Sequence, residues 1–171
     1  MYIYLIILRI LHIGCGVFWA GTALFLAFFV FPAVIKAGPD GPKITQAIMG
    51  TNKMPTVVTT ISFITVLTGI LLMWNLSAGF TADWFTYKYG ISLTIGGITA
   101  TIAFFQALFI NRPGAMRMQT IGQAVVKHGG PPTPEEQGEM AKLRARIFLS
   151  TRWIATWVII SVVTMGIARY V

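Results

Sequence analysis

Residues Tyr2–Ile35 read YIYLIILRILHIGCGVFWAGTALFLAFFVFPAVI, an apolar run interrupted only by Arg9 and His12. A bilayer core needs about 20 mainly apolar residues per helix. At 1.5 Å per residue this run would reach ~50 Å, so a helix here must tilt or project beyond the core. Pro32 is placed to kink its end. The run has no basic leading segment and is too long for a signal peptide. Three further stretches match it, at about Pro55–Leu76, Ala82–Ile110 and Ile147–Tyr170. Pro55 suits a first helical turn.

Composition points the same way. Of 171 residues, 56% are hydrophobic and 11% charged, and the mean hydropathy is +0.74. Soluble domains carry about a quarter charged residues. A water-soluble enzyme and a disordered chain are both excluded by these values. The expectation is an all-α, single-domain integral membrane protein over residues 1–171, a four-helix bundle. The one cysteine, Cys15, rules out an internal disulfide or a multi-cysteine metal site. There is no P-loop, HExxH or GxSxG. The five carboxylates, Asp40, Asp83, Glu135, Glu136 and Glu139, all fall in loops or helix ends, which argues against a carboxylate proton relay or a di-iron site. The bundle is too small for inverted repeats.

Two connections carry information. Ala37–Lys53 contains Gly38-Pro39-Asp40-Gly41-Pro42 and reads as a turn-rich loop. Asn111–Arg146 is longer. Its Gly129-Gly130-Pro131-Pro132 break precedes Thr133-Pro134-Glu135-Glu136, which reads as a capping box with Thr133 as cap and Pro134 in first position. The fourth helix is thus expected to begin near Pro134, and the third to continue past Pro113 to about Lys127. Helices three and four would extend beyond the bilayer as a cytoplasmic hairpin. Lys36, Lys43, Lys53, Arg112, Arg117, Lys127, Lys142, Arg144, Arg146 and Arg152 lie on one side of the four spans, against Arg9, Lys88 and Arg169 on the other. This asymmetry predicts both termini outside. The net charge of +8 then reports topology, and no nucleic-acid partner is needed.

Ionisable groups at membrane depth are costly and mark functional sites. Arg9, His12, Gly16 and Trp19 follow a 3, 4, 3 spacing on one helix face. Lys88, Ser92, Thr99 and Gln106 share a face of the third helix, and Lys88 is expected one to two turns down it, at a depth comparable with His12. A polar stripe of this kind should face the bundle interior. Gly16 would admit a neighbouring helix or a flat ligand. Facing side chains in a bundle core build cofactor sites, and neutral imidazole is a common axial ligand of haem iron. His12 is therefore the candidate metal ligand, and Lys88 a second ligand or a partner of a haem propionate. Arg9 is a second candidate for the propionate. Met73 and Met165 are alternative axial ligands. The structural alternatives are a packing histidine, snorkelling Arg9 and Lys88, and tryptophans that serve as belt or core residues.

Leu11-His12-Ile13, Gly16-Val17-Phe18-Trp19-Ala20-Gly21 and Phe31-Pro32-Ala33, with Trp84-Phe85-Thr86-Tyr87-Lys88, resemble a group of small bacterial membrane proteins. The group includes the HemJ-type protoporphyrinogen oxidases and the CopD-like copper-resistance proteins. The resemblance covers about a third of the chain. It implies haem b, an essential histidine at His12 and an essential lysine at Lys88, with Lys88 catalytic in six-electron oxidation of a porphyrinogen. It implies location in the bacterial inner membrane. The Asn111–Arg146 extension departs from the HemJ pattern. Expected partners are the lipid bilayer, a quinone or redox protein, and a second copy or a larger membrane complex, because so small a bundle has little interior for a porphyrin. The competing expectations are a cofactor-free scaffold docking through the hairpin, and copper handling. The latter lacks a clustered soft-ligand site in the sequence.

Overall fold

The computed structural model describes residues 2–38, 41–50 and 53–171. Seven α-helices are present among them: α1 Tyr2–Phe25, α2 Phe31–Lys36, α3 Gly41–Gly50, α4 Met54–Leu76, α5 Lys88–Gln106, α6 Arg112–His128 and α7 Pro134–Ile167. No strand occurs among the described residues. Four continuous helical segments, Ile3–Lys36, Met54–Leu76, Lys88–His128 and Pro134–Tyr170, are long and apolar enough to cross a membrane.

Two of those segments run through a proline without breaking. Wide π-turns at Leu26–Val30 and Ala107–Asn111 join α1 to α2 and α5 to α6. Each begins six residues before a proline, Pro32 and Pro113. Proline has no N–H and its ring crowds the carbonyl four residues back. Widening the turn is one way to absorb that conflict. Pro32 thus does not end the first helix.

The long helices alternate in direction. α1 packs on α4 and, less extensively, on α7, while α5 packs on α7 and α4. This places α1 diagonally opposite α5. The core joins Trp19 and Ala23 of α1, Ala103 and Phe104 of α5, and Ile154 and Val158 of α7. Small hydroxyl residues share the interior: Ser62, Thr65, Thr68, Ser92, Thr99, Ser150, Thr151 and Ser161 are all buried. Most return their hydroxyl to a carbonyl one turn back, as Thr65 does to Ile61 and Thr99 to Ile95. Large apolar side chains instead cover the outside, among them Ile6, Ile13, Val17 and Phe29.

Two elements differ from the sequence reading. The stretch read as a loop between Ala37 and Lys53 contains α3, with Pro42 in its first turn and Thr45 Oγ1 donating to the Gly41 carbonyl at 2.9 Å. Gly41 sits so close to α2 that a Cβ there would lie 2.4 Å from the Val34 carbonyl oxygen. Pro39 and Asp40 of the expected turn lie outside the described residues. The third long helix starts at Lys88, not near Ala82. Ala82–Phe85 is a separate 3₁₀ turn, and extended backbone at Tyr87 (ψ 134°) divides the two. The aromatic run Trp84-Phe85-Tyr87 extends the apolar pattern across this break and hides it.

α6 pairs with the first turns of α7. Gly129, in the left-handed region at φ 70°, ends α6. Thr133 and Glu136 form the reciprocal capping box that opens α7. Arg117 donates two hydrogen bonds to Glu139, from Nε at 2.7 Å and from an Nη at 2.9 Å. The Thr133 backbone N–H donates to the Glu136 carboxylate and holds it below its ordinary pKa. The hydrogen bond from Arg117 does the same for Glu139, and Arg117 is correspondingly raised. A lowered carboxylate pKa stabilises the fold above the ordinary carboxylate value, and that contribution is lost as pH falls through the lowered one. The protection factors of α6 amides, corrected for the intrinsic pH dependence of exchange, should therefore fall below about pH 4 while those of α5 stay unchanged. Unchanged α6 protection between about pH 7 and pH 3 would refute this coupling.

Candidate functional site around His12

On α1 the inward stripe is Leu8, His12, Gly16, Trp19 and Ala23. Leu8, Trp19 and Ala23 are buried, and His12 and Gly16 are half-buried. The 3.6-residue period sets this stripe, and Arg9 falls off its edge and is exposed.

His12 meets α4. Its Nδ1 lies 2.8 Å from the Thr65 backbone oxygen. A carbonyl can only accept, so Nδ1 carries the hydrogen. In the neutral tautomer with its hydrogen on Nδ1, the lone pair is on Nε2. Thr68 Oγ1 stands 3.5 Å from the same Nδ1 and itself donates to the Thr65 carbonyl at 3.1 Å. The imidazole lies against Gly69, where a Cβ would come within 2.8 Å of Cε1 and 3.2 Å of Nδ1. Gly69 is thus the space the ring occupies. Gly16 faces the Thr65 methyl, with 3.5 Å from an added Cβ, so it sets the approach of α1 to α4 without being essential to it.

The other expected site residues are distributed. Trp19 belongs to the central core. Lys88, at the start of α5, is exposed and lines a cleft at the end of the bundle with Asp83, Trp84, Tyr87 and Tyr89. His12 is not among the residues lining that cleft. Lys88 is the first residue of α5, not one to two turns down it. Met73, one turn beyond Gly69 on α4, already meets Gly97, so Lys88 lies well outward of His12 and the expected match in depth fails. α1 and α5 are also diagonal. Of the polar stripe on α5, Ser92 donates to the Thr164 carbonyl at 2.7 Å and Gln106 to Ser150, so the stripe packs on α7. Met73 and Met165 reach neighbouring notches on α5: an added Cβ on Gly97 would lie 3.0 Å from Met73 Sδ, and one on Gly96 would lie 2.6 Å from Met165 Cγ.

Sequence reasoning missed Thr65, Thr68 and Gly69, the residues that orient His12. Their i, i+3, i+4 spacing is visible in the second span, but only pairing of α1 with α4 connects them to the histidine. His12 supplies one oriented nitrogen donor in a setting where the opposite ring nitrogen is anchored by a carbonyl, the arrangement common to metal-bound histidines. That donor chemistry fits an axial haem ligand. Among the described residues, no three His, Cys, Asp or Glu side chains cluster to hold a metal ion. Compared with known proteins, the chain matches no family model, no curated protein and no solved structure.

Proposed function

We propose that this protein is an integral membrane four-helix bundle that binds haem b through His12 and serves in redox chemistry, as an electron-transfer protein or in HemJ-like porphyrinogen oxidation. The single observation carrying the haem reading is the 2.8 Å Nδ1–Thr65 carbonyl contact, which leaves Nε2 as the free donor. The membrane reading is supported by apolar side chains outside and hydroxyls inside, the pattern expected where the surrounding solvent is hydrocarbon. The ten-to-three placement of Lys and Arg supports termini on the outer face of a bacterial inner membrane, with α6 and the start of α7 forming a cytoplasmic hairpin.

In this proposal His12 would hold the iron, and Arg9, exposed one position from the stripe, would hold a propionate. Haem would supply one-electron transfer. The chain's own contribution is to orient the imidazole through Thr65 and to exclude bulk from its ring at Gly69. Lys88 would act at the outer cleft on a substrate or partner.

The test is an absorption spectrum of the detergent-purified chain, oxidised and dithionite-reduced. A Soret band with sharpened α and β bands on reduction is the expected result. A preparation that stays colourless when haem is supplied during expression overturns the haem reading and leaves the cofactor-free scaffold.

A further inference from the structure

The cleft at the outer end of α4 and α5 is open to its surroundings and has a volume of about 560 Å³, room for a small head group. Its polar rim carries both signs, Lys88 and Asp83, and its walls are Trp84, Tyr87, Tyr89 and Leu76. Trp84 is buried and fixed, with Nε1 donating to Thr94 Oγ1 at 3.0 Å and its ring meeting Tyr89 edge-on at 5.8 Å. Lys88 is exposed, and among the described residues no carboxylate lies within ion-pair distance of it. It opens α5, whose first turn has no acidic residue and no side-chain cap, so the first N–H donors of that helix lack a capping side chain.

From these features we infer that the cleft binds the head group of a membrane-soluble quinone or quinol. A planar ring suits the aromatic walls. Its carbonyl oxygens would accept from Lys88 and the α5 N–H groups, and a quinol hydroxyl would donate to Asp83. A bare phosphate or carboxylate would use Lys88 but be repelled by Asp83, so the mixed rim favours the neutral ring. The apolar tail would leave past Leu76 toward lipid. This names a partner for the proposed redox function and rests on that reading only for what the bound quinol does. Binding itself needs no haem.

The experiment is titration of the purified full chain in detergent with a short-tailed benzoquinone, scored by calorimetry. Saturable binding is expected, weakened on the order of tenfold by Lys88→Gln and also weakened by Tyr87→Ala. Both side chains are exposed, so neither change tests folding. Absent binding, or binding indifferent to both variants, overturns the inference. Phosphatidylglycerol that displaces the quinone with the same Lys88 dependence overturns it in favour of a lipid phosphate. The absorption spectrum of the same preparation scores haem separately. A colourless protein that binds quinone through Lys88 upholds the cleft and sinks the haem, and a coloured protein that binds none does the reverse.

Discussion

His12→Ala should remove haem from the purified protein almost completely, and Gly69→Ala should weaken haem binding about 10- to 100-fold, the range for loss of an orienting contact. The alanine methyl on Gly69 would enter the imidazole, 2.8 Å from Cε1 and 3.2 Å from Nδ1. These are distances that real Cβ contacts do not keep, so the ring must swing away from the Thr65 carbonyl. Gly69→Ala therefore leaves the ligand in the chain but misplaces it. Haem-to-protein ratio from the pyridine haemochrome spectrum measures both variants, and added imidazole should restore part of the Soret band of His12→Ala. If both variants keep wild-type haem content, the iron is held elsewhere. If neither variant nor wild type holds haem and both fold normally, His12 is a packing residue whose hydrogen bond contributes about 1 kcal/mol.

Gly90→Ala should destabilise the protein by about 2–3 kcal/mol, although helix propensity alone predicts the opposite sign. Alanine in a helix interior is favoured over glycine by about 1 kcal/mol. At Gly90 an added Cβ would lie 2.0 Å from the Trp84 carbonyl oxygen and 3.0 Å from the Trp84 ring. The obstacle is backbone, so no side-chain rotation relieves it. The 3₁₀ turn Ala82–Phe85 would have to lift from α5, exposing Trp84 and stretching its hydrogen bond to Thr94. Gly14 is the control: nothing lies within 4 Å of a Cβ there, so Gly14→Ala should be neutral or slightly stabilising. Thermal denaturation in detergent separates the two effects. A Gly90→Ala variant as stable as Gly14→Ala would show that the turn does not sit on α5 as described.

The all-helical class and the four long apolar segments were legible in the sequence because length and hydropathy need no tertiary information. The start of α7 was equally legible, since the Thr133–Glu136 capping box is complete within four residues. Two boundaries were not. The aromatic residues before Lys88 continue the apolar pattern while the backbone turns, and α3 sits in a segment whose glycines and prolines resemble a loop.

What the sequence determined by itself was periodicity along single helices: His12, Gly16 and Trp19 on one face of α1, the hydroxyl stripe of α5, and the charge asymmetry of the connections. What only the tertiary structure decided was which helix each face meets. Pairing α1 with α4 put Thr65, Thr68 and Gly69 around His12 and set its Nδ1 on the Thr65 carbonyl. Setting α1 diagonal to α5 separated Lys88 from that histidine and placed it in a cleft of its own. The physical reason is that helix spacing is local, fixed by 3.6 residues per turn, whereas the neighbour of a face is set by which small residues let two backbones approach. Those contacts join residues far apart in the chain, as His12 and Thr65 are.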